Sequence, residues 1–143
     1  MERIVLAGVT LFDDSYNSNP DSSRAAVRFL AGIHGHERRV LVLGEMLELG
    51  DFAAELHHAL GLEAARGGID LLVLVGELSR AVAAGALEGG MSSASVIHFD
   101  TTEQAEAALP GLVADGDVVL VKGSRAMALE RVVARLVQER GAQ

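Results

Sequence analysis

Short, continuously apolar runs alternate along the chain with longer stretches whose apolar residues recur every three to four positions. Three of the short runs, Val40-Leu41-Val42-Leu43, Leu71-Leu72-Val73-Leu74-Val75 and Val118-Val119-Leu120-Val121, contain no polar residue. A strand with one face in water alternates apolar with polar positions, so unbroken runs indicate parallel strands covered on both faces by helices. The pattern predicts strands over 4–6, 10–13, 39–43, 71–75, 96–99 and 118–121. It predicts helices over 21–33, 53–66, 79–87, 102–109 and 125–138. The first two strands are separated only by a short bend containing Ala7-Gly8, so they are expected to form a hairpin.

Helix boundaries carry their own signals. Asn19 followed by Pro20 is a good start for the first helix, because Asn caps exposed N–H groups and Pro fits the first helical position. Gly35, Gly67-Gly68 and Gly89-Gly90 stand where helices should end. No internal repeat, low-complexity linker or second domain interrupts the pattern, and residues 1–143 read as one domain. The expected fold is α/β: a Rossmann-like, doubly wound, mostly parallel sheet of about six strands flanked by helices.

Composition narrows the chemistry. No stretch approaches the roughly 18 apolar residues of a membrane span, and no cationic segment precedes an apolar one as in a signal peptide. With no cysteine, disulfides, thiolate metal sites and cysteine nucleophiles are absent together. A net charge of −8 argues against nucleic acid as a partner, since phosphate contacts need clustered cations. These features fit a cytoplasmic protein, with monomer as the default state. Lys122 is the only lysine, which singles out its ammonium.

Ligands of doubly wound sheets sit beyond the carboxyl ends of the strands. That rule selects the loops at 13–19, 44–51, 76–78 and 122–125. The first carries Asp13-Asp14-Ser15-Tyr16-Asn17-Ser18-Asn19-Pro20, whose adjacent carboxylates suit sugar hydroxyls or a divalent ion, whereas a turn and helix cap would need fewer polar residues. The last carries Lys122-Gly123-Ser124-Arg125, two cations around a Gly-Ser turn at an expected helix start, which suits a carboxylate or phosphate. Its plainer reading is a solvated loop whose Ser124 caps the last helix. The loop Gly44-Glu45-Met46-Leu47-Glu48-Leu49-Gly50-Asp51 is apolar enough to pack against another domain or to cover the sheet edge. His57 and His58 are neighbours on one helix and point apart, so they cannot share a metal as an i, i+4 pair would. His58 is expected at the surface and His57 in a structural role or facing the loop. Neither a P-loop nor a Gly-x-Gly-x-x-Gly motif occurs.

Taken together, the segments Asp-Asp-Ser-Tyr-Asn-Ser-Asn-Pro, Gly-Glu-Met-Leu-Glu-Leu-Gly, Leu-His-His-Ala-Leu-Gly and Val-Lys-Gly-Ser-Arg resemble the C-terminal domain of the Mur ligases. The resemblance runs from about Val9 to the last helix. It implies a three-domain enzyme whose N-terminal and central ATP-binding domains lie outside this chain. Asp14 would then contact the ribose of ATP, with Tyr16, Asn17, Asn19 and Pro20 beside the nucleotide. Lys122, Gly123, Ser124 and Arg125 would receive the carboxylate of D-alanyl-D-alanine, with His57 and Glu45 as secondary candidates. The implied reaction is ATP-driven amide formation: the carboxylate of UDP-N-acetylmuramoyl-tripeptide takes the γ-phosphoryl group, and the amine of D-alanyl-D-alanine displaces phosphate. Mg2+ would be held mainly by the central domain, so no metal ligand or catalytic residue is expected in this chain, and the domain alone should be inactive.

Two positions depart from the family pattern: Glu45 stands where Asp is more usual, and Ala126 where Gly is common. Two other functions share part of the outline. A related ligase adding glutamate to folate or to an amino-acid polymer would use the same fold. A signalling receiver module would use an acidic pair and a late lysine, but it also needs an aspartate ending a middle strand. Gly44-Glu45 and Gly76-Glu77 stand there instead.

Overall fold

The computed structural model describes residues 1–141, so the last two positions of the expected 1–143 domain lie outside the described residues. Six strands form one sheet: β1 (Glu2–Leu6), β2 (Val9–Asp14), β3 (Arg38–Leu43), β4 (Leu71–Val75), β5 (Val96–Phe99) and β6 (Asp117–Lys122). Their order is β1-β2-β6-β3-β4-β5. β1 and β2 form the expected antiparallel hairpin, and every other neighbouring pair is parallel. The last strand is therefore inserted into the middle of the sheet, between two strands made early in the chain.

Among the described residues, five α-helices cover the sheet: α1 (Pro20–Ala31), α2 (Ala53–Arg66), α3 (Arg80–Glu88), α4 (Thr102–Leu112) and α5 (Glu130–Arg140). Alternation along the strands sends side chains to two separate cores. Val40, Val42, Val119 and Val121 pack with Ala105 and Leu109 of α4 and with Val132, Val133 and Leu136 of α5. Leu41, Leu43, Val118 and Leu120 pack on the other face with Ala26 and Leu30 of α1, Leu60 and Ala64 of α2, and Val82 of α3. The unbroken apolar runs are thus buried on both faces, as their pattern requires.

Local signals explain most boundaries. The Asn19 side chain accepts from the Ser22 N–H at 2.8 Å while Ser22 Oγ accepts from the Asn19 N–H at 3.0 Å, a reciprocal cap with Pro20 as the first helical residue. α4 continues past Pro110 to Leu112, because a proline in a final turn forfeits only one hydrogen bond. The largest difference from the sequence pattern is at the last helix, which begins at Glu130 and not at Arg125. Arg125–Met127 form a short 3-10 turn, and Ala128 then adopts a left-handed conformation, φ 54°. That reversal drives Leu129 into the core, fully buried.

Candidate functional site

The carboxyl ends of β2, β6, β3 and β4 bring the singled-out loops to one edge of the sheet. In the parallel register of β2 and β6, Asp14 lies opposite Lys122. The Lys122 ammonium is 3.0 Å from Asp14 Oδ2, with the lysine side chain 5% exposed and the aspartate 21% exposed. Lys122, expected as an anion-binding cation of its loop, is turned by strand pairing toward the Asp14 carboxylate and lines neither cavity described below. The adjacent Asp13 has a different task. Its Oδ1 accepts from the Ser15 backbone N–H at 3.0 Å and from the Ser15 hydroxyl, closing the turn that leads into Tyr16.

Tyr16 projects from that turn with 71% of its surface exposed. The Arg125 guanidinium lies 5.0 Å from the centre of its ring, and Nη1 donates to the Tyr16 hydroxyl at 3.3 Å. Two segments 109 residues apart therefore meet through one cation–aromatic contact. Arg125 also lines two cavities. The first, ≈ 470 Å³, is bounded by Met1, Glu2, Asp13, Asp14, Ser15, Tyr16, Arg125 and Glu130. The second, ≈ 450 Å³, is bounded by residues 17–19, 47–49 and 124–126.

The two cavities differ in chemistry. Four carboxylates line the first, so it suits hydroxyl groups and a ring better than a chain of phosphates. The second offers the Arg125 cation, the Glu48 carboxylate, the amides of Asn17 and Asn19, and the apolar Leu47 and Leu49. A small zwitterion with short apolar side chains matches that mixture.

Glycines let the loops come this close. A Cβ on Gly123 would strike Leu129 Cδ1, and the Gly44 Cα stands 3.5 Å from that same Cβ position. The Gly44 N–H donates to the Lys122 carbonyl at 2.8 Å, joining the two loops. Gly123 thus serves backbone approach more directly than ligand contact. Ser124 does not cap α5, which starts six residues later; its Oγ is buried and has no hydrogen-bond partner among the described residues.

The remaining candidates act as struts. His57 is fully buried; its Nε2 accepts from the Met46 N–H at 3.0 Å and its Nδ1 faces the Ala53 carbonyl at 2.6 Å. Those partners place the proton on Nδ1, and both nitrogens are occupied, so His57 cannot meet a ligand and instead anchors the 45–49 loop. Glu45 accepts from the Leu78 N–H at 2.7 Å, tying the loop after β3 to the loop after β4. Asn19 and Pro20 are used in starting α1, and Asn17 accepts from the Ser18 N–H at 2.9 Å. Half-buried His58 pairs with Glu88 at 2.6 Å. Sequence reasoning did not single out Glu2 or Glu130 on the first cavity, and neither carries a local signal. Among the described residues, no group of three or more His, Asp or Glu side chains is gathered to hold a metal ion. No helix among them is long and apolar enough to cross a membrane.

A doubly wound domain that gathers polar loops and two cavities at the carboxyl edge of its sheet is a ligand-binding module. More particularly, the chain belongs to the Mur ligase family: residues 1–125 match the family's description "Mur ligase, glutamate ligase domain". The UDP-N-acetylmuramoyl-tripeptide–D-alanyl-D-alanine ligase of Escherichia coli (strain K12) is 42% identical over 135 residues, covering 92% of this chain and 27% of that protein. The ligase of the same name from Mycobacterium tuberculosis (strain ATCC 25618 / H37Rv) is 43% identical over 150 residues, covering 92% and 29%. A crystal structure of MurF from Acinetobacter baumannii superposes with a TM-score of 0.84 at 33% identity, over 96% of this chain and 30% of that one. MurF ligase from Thermotoga maritima, solved in complex with ADP, gives a TM-score of 0.77 at 27% identity, over 96% and 30%. The chain thus spans less than a third of the length of these relatives.

Proposed function

We propose that this chain is the C-terminal domain of an ATP-dependent ligase that adds D-alanyl-D-alanine to UDP-N-acetylmuramoyl-tripeptide, a cytoplasmic step of peptidoglycan synthesis. The observation that carries the reading is the meeting of Tyr16 and Arg125, which sets a hydroxyl-seeking cavity beside a zwitterion-sized one. Asp14 and Tyr16 then hold the ribose and ring of ATP in the first cavity. Arg125 receives the dipeptide carboxylate in the second, where Leu47 and Leu49 offer apolar surface to its methyl groups. Relatives named for this reaction, and a MurF structure solved with ADP, support the ligase reading.

This domain's share of catalysis is positioning. Holding the amine next to an activated carboxyl removes much of the entropy cost of bringing two reactants together. Closure of the domain over the cleft also keeps water from the acyl phosphate. Mg2+ would supply charge neutralisation for the phosphoryl group and would be held mainly by the central domain. Alone, the domain has no ligase activity.

The test is an assay of the full-length protein carrying this domain, with ATP and UDP-N-acetylmuramoyl-tripeptide. Phosphate release and product formation are expected with D-alanyl-D-alanine and not with glutamate. Product with glutamate alone would assign the chain to a different ligase, and stable aspartyl phosphate from acetyl phosphate would point to a receiver module. An upstream reading frame encoding a phosphate-binding loop is expected in the natural gene.

A further inference from the structure

We infer that Lys122 is a positioning residue for Asp14, acting on the nucleotide side of the site and not on the dipeptide side. The inference rests on the proposed ligase reading and deepens it. Lys122 ends β6, a strand whose side chains are buried throughout, and its own side chain is 5% exposed. It lines neither cavity, whereas its partner Asp14 lines the first. Its ammonium stands 3.0 Å from Asp14 Oδ2. The β2–β6 register sets the two residues directly opposite each other, so the pairing follows from the sheet itself and not from a surface rotamer.

The pair leaves Asp14 half committed. Oδ2 is turned to Lys122, and Asp14 itself lines the first cavity. No hydrogen-bond donor among the described residues occupies Oδ1, so one lone-pair-bearing oxygen remains free for a hydroxyl donor in the cavity. A carboxylate at a strand end would otherwise rotate about its χ angles. The buried cation fixes its direction and offsets its charge beside the other acids of the cavity. A lysine serves here because it brings a single compact charge along the strand on an apolar stem that packs in the core.

The experiment uses the full-length ligase and measures KM for each substrate in the wild type, K122M, K122R, D14N and the K122M/D14N double variant, with a thermal melt of each. K122M is expected to raise KM for ATP about tenfold while KM for D-alanyl-D-alanine stays within about twofold. K122R, which keeps the charge but displaces it, is expected to fall between wild type and K122M for ATP, and it decides the matter if K122M does not fold. The double variant is expected to match D14N alone, because the lysine acts only through the aspartate. A rise in KM for D-alanyl-D-alanine with KM for ATP unchanged, or full additivity in the double variant, would overturn the inference and leave the ligase reading intact. A wild-type protein that makes no product would sink both.

Discussion

Strand β6 carries an acid–base pair at each end, and the two pairs are built differently. At its start, Asp117 is 1% exposed and takes a forked grip from Arg38, with Nε at 2.9 Å and Nη2 at 2.7 Å. The Ala114 N–H also donates to Asp117 at 2.8 Å, and Arg38 donates to the Leu112 carbonyl at 2.9 Å. The Asp117 hydrogen bonds, with its charge beside them, hold the Arg38 guanidinium even above its ordinary range. Both Asp117 oxygens are engaged at that end. At the other end, Lys122 and Asp14 share a single contact, and the aspartate borders a cavity. The saturated pair fastens the sheet, whereas the unsaturated one leaves an oxygen for a ligand. On the proposed reading, the same strand carries stability at one end and recognition at the other.

The sharpest way to break that division is Asp117→Ala. It strands Arg38 and the Ala114 N–H, and about 3 kcal/mol of unfolding free energy is expected to go, read by denaturant titration. KM for ATP in the full-length ligase should not move, and a large rise without loss of stability would erase the distinction between the two ends. His57→Ala comes next, at about 2 kcal/mol, from a lost core ring and an unpaired Met46 N–H. Its specific mark is faster amide exchange at Met46, and unchanged exchange would remove His57 as the anchor of the 45–49 loop.

Asp14→Asn leaves the buried Lys122 ammonium beside a neutral amide and is expected to cost about 1–2 kcal/mol, less than Asp117→Ala. It should raise KM for ATP about tenfold. A stability loss as large as that of Asp117→Ala would mean that both ends of β6 are structural. Smallest in stability is Arg125→Ala: the side chain is exposed, and a change within about 0.5 kcal/mol is expected. Its effect belongs to binding, as a several-fold rise in KM for D-alanyl-D-alanine and a smaller one for ATP. Equal rises would show that the two cavities are one.

Much of the fold was legible: burial on both faces writes itself as the unbroken apolar runs of β3, β4 and β6, and β1, β2 and β5 lie where shorter apolar stretches predict them. The last helix was not, because Arg125-Ala126-Met127-Ala128-Leu129 are all tolerable in a helix. Only the packing of Leu129 beside Gly44 and Gly123 forces the left-handed turn at Ala128. His57 could have been placed from its spacing, since His57, Leu60, Gly61 and Ala64 fall on one buried helical face. The pairing of Asp14 with Lys122 had no such signal. Both residues stood out as chemistry, but strand order is a property of the folded sheet, and one sequence does not say that β6 lies beside β2.

That strand order sets a timetable for how the protein is made. A ribosome releases β2 and β3 early, yet the place between them stays vacant until residues 117–122 emerge. Until then, two apolar strand edges wait for a partner that arrives about 75 residues after the second of them, during which they are exposed to other nascent chains. Closure by β6 completes the sheet and, in the same event, brings Lys122 to Asp14 and Arg125 to Tyr16. A polypeptide cut short before β6 lacks both its central strand and the edge at which Asp14 meets Lys122 and Tyr16 meets Arg125.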